Sequence, residues 1–311
     1  MDAGWISESA PWGRAALTAY AMGQLGPDMA LLQVLMAAPS AAEAMELLEK
    51  ALLLARGSAE PSALGRLEQL CTLAREQGRA WPILARTLEL VDQGDAAGQA
   101  MAGPDATSRL ARIANGFDRA AELCPEASVA LYSFGDGSRL AAATAELAER
   151  LRDWGLLGRE WAYLDIGCGI GRLEQALAPA VRSIVGIDIS RKMIELARAR
   201  CAGLPNVAFQ VANGRDLRAF AAGSLDVVLA VDSFPYLVRC GVTLVTRQLS
   251  EVARVLKPGG QLAIFNFSYR NDPDADREEL ASYAADLGLT MLRSGARGLR
   301  TWDGAGYQLI K

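Results

Sequence analysis

The second half of the chain alternates between two kinds of segment, and this alternation limits the folds that it can adopt. Short runs of apolar and β-branched residues are separated by stretches in which apolar residues recur at helical spacing. The predicted strands span residues 161–166, 183–187, 207–211, 225–231, 261–267, 290–293 and 306–310, and the predicted helices span 172–177, 192–201, 246–256 and 276–287. Such alternation is typical of an α/β fold, in which a mainly parallel sheet is covered by helices on both faces. We therefore expect any ligand to lie at the carboxyl ends of the strands.

The part of the chain before about residue 115 has a different composition. Ala and Leu dominate it, and apolar residues recur at three- and four-residue spacing over residues 29–36, 41–56, 64–77 and 81–91. This pattern predicts several amphipathic helices, and Ser40 with Glu43 has the form of a capping box. Residues 92–107, rich in Gly, Ala and Asp, are interpreted as a linker. The predicted organisation is an all-helical domain at 1–115, a helical connector at 116–160 and an α/β domain at 161–311.

The composition excludes several classes of function. The chain has 311 residues, of which 51% are hydrophobic and 22% charged, which is typical of a globular protein. It contains no histidine, so a Ser-His-Asp triad, an HExxH zinc site and a histidine general base are all excluded. The net charge of −4 gives no basic field that would attract nucleic acid or an anionic membrane. We therefore expect neither as a partner.

The cysteines and the N-terminus bear on the compartment. The five cysteines are scattered and form no CxxC pair, which favours buried thiols in a reducing compartment over disulfides or a structural metal. No metal ligands are predicted. No apolar run of about 18 residues is present, and the N-terminus lacks the pattern of a signal peptide. The expected location is cytoplasmic.

The strongest local motif is the glycine-rich turn DIGCGIGR at 165–172, which follows the first predicted strand. Glycines allow a tight turn and a close approach of a ligand to the backbone, and the helix that follows offers unpaired N–H groups. A dinucleotide-binding fingerprint would place its third glycine at position 172, where this chain has arginine. Asp165 would also repel a pyrophosphate. The turn is therefore better suited to a ligand with a positively charged group.

A second motif, VGIDIS at 185–190, ends the next predicted strand. Asp188 follows the glycine-rich turn by about 20 residues, the spacing at which an acid accepts hydrogen bonds from both hydroxyls of a ribose. The alternative is that Asp188 only caps the helix beginning at Arg191, a role for which Ser190 competes. The two motifs together favour ribose binding.

With these motifs the sequence resembles the class I S-adenosylmethionine-dependent methyltransferases, and in particular their small-molecule branch. The resemblance covers about residues 130–311 and rests on five ordered motifs: LDIGCGIGR (164–172), VGIDIS (185–190), VANGRDL (211–217), LDVVLAVDSF (225–234) and RVLKPGGQLAIFNFS (254–268). It implies a Rossmann-like, seven-stranded sheet with helices on both faces, in addition to the N-terminal all-α domain. The last strand, near 306–310, would be antiparallel.

The resemblance also implies the cofactor, S-adenosyl-L-methionine, its product S-adenosyl-L-homocysteine, and a set of contacts. An entry segment before the first strand often folds over the cofactor in this family, and its candidates here are Tyr132 and Arg139; the alternative is a surface loop with one core aromatic residue. The implied cofactor-binding residues are Tyr132, Arg139, Asp165, Gly167, Cys168, Gly169, Asp188, Ile189, Asn213, Gly214 and Val231.

Residues after the fourth and fifth predicted strands should face the transferred methyl group. Asp232 is the candidate base or a cofactor ligand, and Tyr236 is a hydrogen-bond donor or a wall of the pocket. The segment VDSFPY lacks the [DN]PP[YF] motif of the nucleic-acid and glutamine N-methylating branches. Phe234, Tyr269 and Arg270 are the candidates for substrate binding. Arg270 would suit a carboxylate or a phosphate, but it is equally compatible with an exposed arginine that pairs with an aspartate at 272, 274 or 276.

These observations predict a methyltransferase of a biosynthetic pathway that modifies oxygen or nitrogen of a small molecule. We expect alignment and desolvation of the reactants to provide most of the catalysis. Without histidine, the acceptor should be intrinsically nucleophilic or deprotonated by a carboxylate such as Asp232. Two alternatives stay open: an enzyme that modifies a peptide or protein bound by the N-terminal helices, and a fold relative that uses the sulfonium for a cyclisation without methyl transfer. The N-terminal helices are expected to cap the active site or to form a homodimer.

Overall fold

The computed structural model describes residues 13–38, 40–56, 59–78, 80–99, 106–267 and 272–311. In the N-terminal part these residues form helices that precede the sheet. Their bounds are α1 Arg14–Ala21, α2 Pro27–Ala37, α3 Ala41–Ala55, α4 Pro61–Gln77, α5 Trp81–Gln99, α6 Ala106–Leu123, α7 Pro125–Val129 and α8 Gly137–Asp153, with a 3-10 turn at Leu131–Ser133.

The remaining elements alternate along the chain. They are β1 Ala162–Ile166, α9 Arg172–Leu177, β2 Ser183–Asp188, α10 Arg191–Arg200, β3 Val207–Val211, β4 Leu225–Val231, α11 Phe234–Arg239, α12 Val242–Val255, β5 Leu256–Asn266, α13 Pro273–Asp286, β6 Thr290–Ala296 and β7 Ala305–Ile310. A second 3-10 turn covers Ala178–Ala180.

The strands form one seven-stranded sheet in the order β3-β2-β1-β4-β5-β7-β6. The pairs among β1 to β5 are parallel, whereas β7 is antiparallel to both β5 and β6. The predicted α/β class, the seven strands and the antiparallel last strand are therefore confirmed. The strand order reverses between β1 and β4, and in such sheets a ligand crevice forms where the order reverses.

Some predicted boundaries were wrong. Residues 92–99, interpreted as a linker, continue α5, since a Gly- and Ala-rich segment can remain helical when the preceding turns are already formed. The segment FPYLVR after β4, for which no element was predicted, forms the short helix α11 with Pro235 in its first turn. Strand β5 begins at Leu256 rather than at residue 261, because Leu256 already pairs with Leu225 before the register shifts.

The N-terminal helices share a core with one face of the sheet. The largest buried cluster joins Leu31 of α2 and Leu48 of α3 to Tyr163 of β1 and Phe265 of β5. The capping box predicted at the start of α3 is confirmed, since Ser40 Oγ accepts the Glu43 N–H at 3.2 Å. The boundary predicted at residue 115 lies within α6, and the division into three domains stays a prediction.

The sheet also has a well-filled opposite face. There Val228 of β4 and Ile264 of β5 pack with Val245 and Leu249 of α12. Both faces are thus covered by helices, which leaves the ends of the strands as the accessible part of the sheet. None of the helices in the described ranges combines the length and the apolar character required to span a bilayer.

Candidate active site

A cleft lies at the carboxyl ends of β1, β2 and β4, where the strand order reverses. It contains about 1080 Å³ of space between protein atoms, part of it open to solvent. Its walls come from the turns after these strands, from the segment after β3 and from three N-terminal residues of α6. The lining residues used below are Leu110, Ile113, Phe117, Val129, Asp165, Gly167, Gly169, Arg172, Asp188, Ile189, Gly214, Asp232, Tyr236 and Gln248.

The glycine-rich turn shapes the floor of the cleft, because two of its positions exclude any side chain. Gly167 has a φ of +78°, and a Cβ there would lie 2.3 Å from the Cβ of Ser233. Gly169 has a φ of +52°, and a Cβ there would lie 2.6 Å from Cγ1 of Val129. Both the left-handed backbone and the lack of space require glycine. The backbone can therefore approach a ligand closely.

Two carboxyl groups are buried together behind this turn. Asp165 ends β1 with 2% of its surface exposed, and Glu174 on α9 is completely buried. No N–H or hydroxyl group of any other described residue donates to Asp165 Oδ1 or to the carboxyl oxygens of Glu174. Burial raises the pKa of each group, repulsion from Asp165 raises the pKa of Glu174 further, and a side-chain hydrogen bond between the two carboxyls lowers the pKa of Asp165. The pair is therefore expected to hold one proton near neutral pH, on Glu174, so that Asp165 carries the charge.

Arg172 contributes a buried cation to the cleft wall. Its side chain is 7% exposed, and it donates to Thr144 Oγ1 at 3.2 Å and to Tyr132 Oη at 3.3 Å. Both acceptors are neutral, since burial raises the pKa of Tyr132 to about 12. Within the described residues no ion pair joins Arg172 to a carboxylate. A buried guanidinium that has only neutral partners is suited to an anionic group of a ligand.

Asp188, the acid at the end of β2, is held by backbone N–H groups on both sides. Its Oδ2 accepts from Gly169 N at 3.0 Å and its Oδ1 accepts from Ser190 N at 2.8 Å. Burial raises its pKa to about 6 in spite of these hydrogen bonds. Each carboxylate oxygen has a second lone pair, so both remain able to accept a hydroxyl. This arrangement suits the two hydroxyls of a ribose.

Helix α6 is fastened to the same strand end by a single carboxylate. Asp118 Oδ1 accepts from Ser190 Oγ at 2.6 Å and from Lys192 N at 3.0 Å. Ser190 Oγ in turn accepts from Met193 N at 3.1 Å as the N-cap of α10. The first turn of α10 is therefore satisfied partly from another helix. This contact holds α6 over the cleft.

The side of α6 that faces the cleft is apolar. Leu110 and Ile113 are buried in a cluster with Cys240 and Leu244, against which Ile189 also packs. Gly214 is required after β3, because a Cβ there would lie 2.9 Å from Leu110. An apolar wall opposite the segment after β3 suits a flat heterocycle such as a nucleobase.

Asp232 follows β4 directly and lines the same cleft, within electrostatic reach of Arg172. Its φ of +56° is left-handed, which is uncommon for a residue other than glycine and often marks a functional position. Its Oδ1 is buried and has no hydrogen-bond partner in the described residues. Burial raises its pKa to about 7; the Arg172 charge lowers this pKa and Asp303 raises it. A carboxyl with this pKa can accept a proton near neutral pH.

Tyr236 on α11 forms an aromatic corner with α6. Its ring meets that of Phe117 edge to face, with centroids 5.0 Å apart and an interplanar angle of 81°. The Arg239 guanidinium lies 5.5 Å from the Tyr236 ring centroid. Packed from two sides, the ring forms part of the wall, so the interpretation of Tyr236 as a wall agrees with its position.

The structure brings most of the predicted site residues together. Those that line the cleft are Asp165, Gly167, Cys168, Gly169, Asp188, Ile189, Gly214, Val231, Asp232 and Tyr236. Tyr132, Arg139, Asn213 and Phe234 do not line it. The predicted substrate-binding residues Tyr269 and Arg270 lie outside the described residues.

Each of the four displaced predictions has a local explanation. Tyr132 lies behind the wall and accepts the Arg172 hydrogen bond, while its ring stacks on Trp302 at 5.7 Å. The start of α8 points Arg139 away from the cleft, toward an ion pair with Asp28 of α2.

Of the other two residues, one is held by its own turn and the other by the core of the sheet. Asn213 Oδ1 accepts the N–H groups of Arg215 at 2.7 Å and Asp216 at 3.1 Å, which occupies its carbonyl in the turn. Phe234 is 3% exposed and belongs to the core on the opposite face of the sheet, with Val245 and Leu249. It therefore supports the sheet rather than the cleft.

Sequence reasoning missed several residues of the cleft. Arg172 was noted only as a departure from a dinucleotide fingerprint, although its place directly after the third glycine made it a candidate for the cleft wall. Asp118, Gln248 and the apolar residues of α6 belong to no local motif. Only the packing of distant helices against the strand ends brings them into the site.

The sheet order and the cleft define the class of protein: an α/β protein with a mainly parallel sheet, whose ligand crevice lies where the strand order reverses. A sequence model described as a methyltransferase domain matches residues 164–264. This range includes the glycine-rich turn, Asp188 and Asp232. The matched region of this chain is therefore a methyltransferase domain.

Individual relatives match about a third of the chain. A demethylmenaquinone methyltransferase of Tropheryma whipplei is 38% identical over 106 residues, which are 34% of this chain and 41% of the relative. A thiol S-methyltransferase of Homo sapiens is 38% identical over 104 residues, which are 32% of this chain and 40% of the relative. The chain therefore spans about two fifths of the length of these relatives.

Among solved structures, a phosphoethanolamine N-methyltransferase of Haemonchus contortus with bound phosphoethanolamine and S-adenosylhomocysteine is similar to this chain. The TM-score is 0.46 at 21% identity, with 52% of this chain and 33% of the other covered. A TM-score below 0.5 does not by itself define a common fold. The assignment therefore rests on the matched sequence family and on the observed sheet.

Proposed function

We propose that this protein transfers a methyl group from S-adenosylmethionine to oxygen or nitrogen of a small molecule, with Asp232 as the proton acceptor. The observation that carries the proposal is the buried Oδ1 of Asp232, which lines the cleft and has no hydrogen-bond partner in the described residues. The family assignment supports the reaction type, and the geometry supports the role of each residue.

The cleft residues fit this cofactor. The unpartnered Asp165 Oδ1 suits its ammonium group, Arg172 suits its carboxylate, and Asp188 suits its ribose. The space kept free at Gly167 and Gly169 would accommodate the methionine portion against the backbone. When bound, the cofactor supplies an electrophilic methyl group on a positively charged sulfur.

Asp232 would remove the acceptor's proton. Its pKa of about 7, raised by burial, leaves the carboxyl a better base than an exposed aspartate while it is still ionised above neutral pH. The chain has no histidine that could do this work. An acceptor that is already nucleophilic, such as a carboxylate or a free amine, would depend on Asp232 less than a phenol would.

A small acceptor is favoured over a peptide or protein by the cover of the cleft. Helix α6 closes one side of it with Leu110 and Ile113, and Phe117 packs against Tyr236. The relatives named above are a demethylmenaquinone and a thiol methyltransferase, which also supports a small acceptor. The N-terminal helices would then act as a cap, and a homodimer through them stays a prediction.

Cofactor binding can be tested before the acceptor is known. We expect S-adenosylhomocysteine to bind the purified protein in calorimetry, and Arg172→Met to weaken it about tenfold or more through loss of a charged hydrogen bond to the carboxylate. Binding of 5′-methylthioadenosine, which lacks that carboxylate, should change little. Arg159→Met, at an exposed position before β1, is the matched control.

Failure of the wild-type protein to bind S-adenosylhomocysteine would contradict the proposed function. Equal losses for both ligands in Arg172→Met would contradict only the orientation of the cofactor. The reaction itself is tested by incubating the protein with S-adenosylmethionine and a panel of phenols, carboxylic acids and amines. A product heavier by one methyl group supports transfer, whereas an isomerised substrate of unchanged mass would favour a cyclisation.

A further inference from the structure

One buried polar side chain of the cleft has no role in the proposed chemistry. Gln248 on α12 is 3% exposed and lines the cleft. Its Oε1 is buried and has no hydrogen-bond partner in the described residues. Leaving an amide oxygen buried and unpaired costs about 1–3 kcal/mol. A ligand that pairs with the amide would remove this cost.

The position of Gln248 is set by its neighbours on α12. Arg247 binds the Asp216 carboxylate at 2.9 Å, and Glu251 accepts the Leu217 N–H at 3.0 Å. Gln248 lies between these two residues on the helix. It is therefore held beside the segment that follows β3, on the cleft side of that segment.

This is also the end of the cleft where the base of an adenosine would lie. Asp188 suits the ribose, and Ile189, Gly214 and Leu110 form the apolar walls beyond it. Asn213, which the family resemblance implied as a cofactor-binding residue, uses its carbonyl within its own turn. The polar edge of the base thus needs another partner.

We propose that Gln248 recognises the adenine base of the cofactor and determines the specificity of the cleft for adenine. A carboxamide carries one acceptor and one donor side by side, which matches the 6-amino group of adenine and the ring nitrogen next to it. The inference rests on the proposed function, since it requires the adenosine part of the cofactor in this cleft. The inference concerns only the hydrogen-bonding edge of adenine that carries the 6-amino group.

The test compares two ligands that differ at that edge: S-adenosylhomocysteine and S-inosylhomocysteine, in which a carbonyl oxygen replaces the 6-amino group. We expect the wild-type protein to prefer the adenine ligand about tenfold or more, because the wrong edge leaves a buried polar group unpaired. Gln248→Leu should weaken S-adenosylhomocysteine about tenfold and reduce the preference to about twofold or less.

Unfolding measurements separate recognition from a structural role. Because Gln248→Leu removes a buried, unpaired oxygen, the free protein should be at least as resistant to urea as wild type. Gln175→Leu, an exposed change on α9, is the matched control and should alter neither affinity. Equal losses of both ligands in Gln248→Leu, or an unchanged preference for adenine, would overturn the inference. Absence of any binding to wild type would contradict the proposed function instead.

Discussion

Replacing Asp232 with Asn should stabilise the free protein at alkaline pH and remove its proposed activity. The carboxyl is attached to a left-handed residue with a φ of +56°, and Asn tolerates this backbone conformation better than most other residues. The substitution keeps the size of the side chain. Its main physical effect is therefore to remove an ionisable group from the cleft wall.

The magnitude follows from the pKa of this carboxyl. Burial raises it from 3.8 to about 7, and each pKa unit corresponds to about 1.4 kcal/mol, so an ionised Asp232 costs the folded protein at most about 4 kcal/mol. Water in the open cleft reduces this cost, and we take about 2 kcal/mol as the expected value. Between about pH 4 and pH 7 the folded protein binds more protons than the unfolded chain, so stability falls as the pH rises.

The assay is urea unfolding of the ligand-free protein, followed by tryptophan fluorescence and circular dichroism. Relative to wild type, Asp232→Asn should gain about 2 kcal/mol in the free energy of unfolding at pH 8 and about 1 kcal/mol at pH 4.5. Asp286→Asn, an exposed change on α13, controls for the loss of one negative charge. A gain that is the same at both pH values would refute the argument, because it could not come from ionisation.

Two further predictions concern the glycine-rich turn and the contacts between Glu146 and residues 300–301. Gly169→Ala would place a Cβ 2.6 Å from Val129 at a φ of +52°, so it should weaken S-adenosylhomocysteine binding at least about tenfold in calorimetry; Gly203→Ala, at a φ of +90° with open space, should leave the affinity unchanged. Glu146 accepts four hydrogen bonds from residues 300–301, so Glu146→Gln should reduce the free energy of unfolding at pH 7 by about 2 kcal/mol, with a smaller loss at pH 4. Burial opposes ionisation of Glu146, but these hydrogen bonds lower its pKa, so its contribution is present at neutral pH and is lost on acidification.

The sheet could be predicted from sequence because its signals are local. The turn from β1 to α9 contains three glycines with positive φ, and their alternating pattern is visible in the sequence. Asp165 and Asp188 could be predicted as site residues for the same reason, since each stands at the end of a buried strand next to the start of a helix. Strand ends in a doubly wound sheet converge, so residues far apart in the chain could be placed in one cleft.

Contacts that depend on the rotation of a helix could not be predicted in the same way. Arg139 and Arg172 both follow a helix start, but only Arg172 points into the cleft, because Arg139 meets Asp28 of α2. Asp118 reaches Ser190 across 72 positions in the sequence, without a motif at either end. Such pairs are set by helix packing, which the local sequence does not encode.

The chemistry of the cleft would allow a chain without histidine to carry a base of suitable strength. Three carboxyls, Asp165, Asp188 and Asp232, line one cleft, and burial raises the pKa of each; Arg172 is the buried cation beside them. Raised pKa values mean that ionising these carboxyls is costly in the empty site, and a positively charged ligand would reduce that cost. In the proposed function, the sulfonium of the cofactor would supply such a charge near Asp232. The positive charge of the sulfonium would stabilise the ionised form of Asp232 and so offset the cost of its burial. The same charge would lower the pKa of Asp232 and make it a weaker base. An acceptor group whose pKa is also lowered by the nearby sulfonium could still transfer its proton to this weaker base.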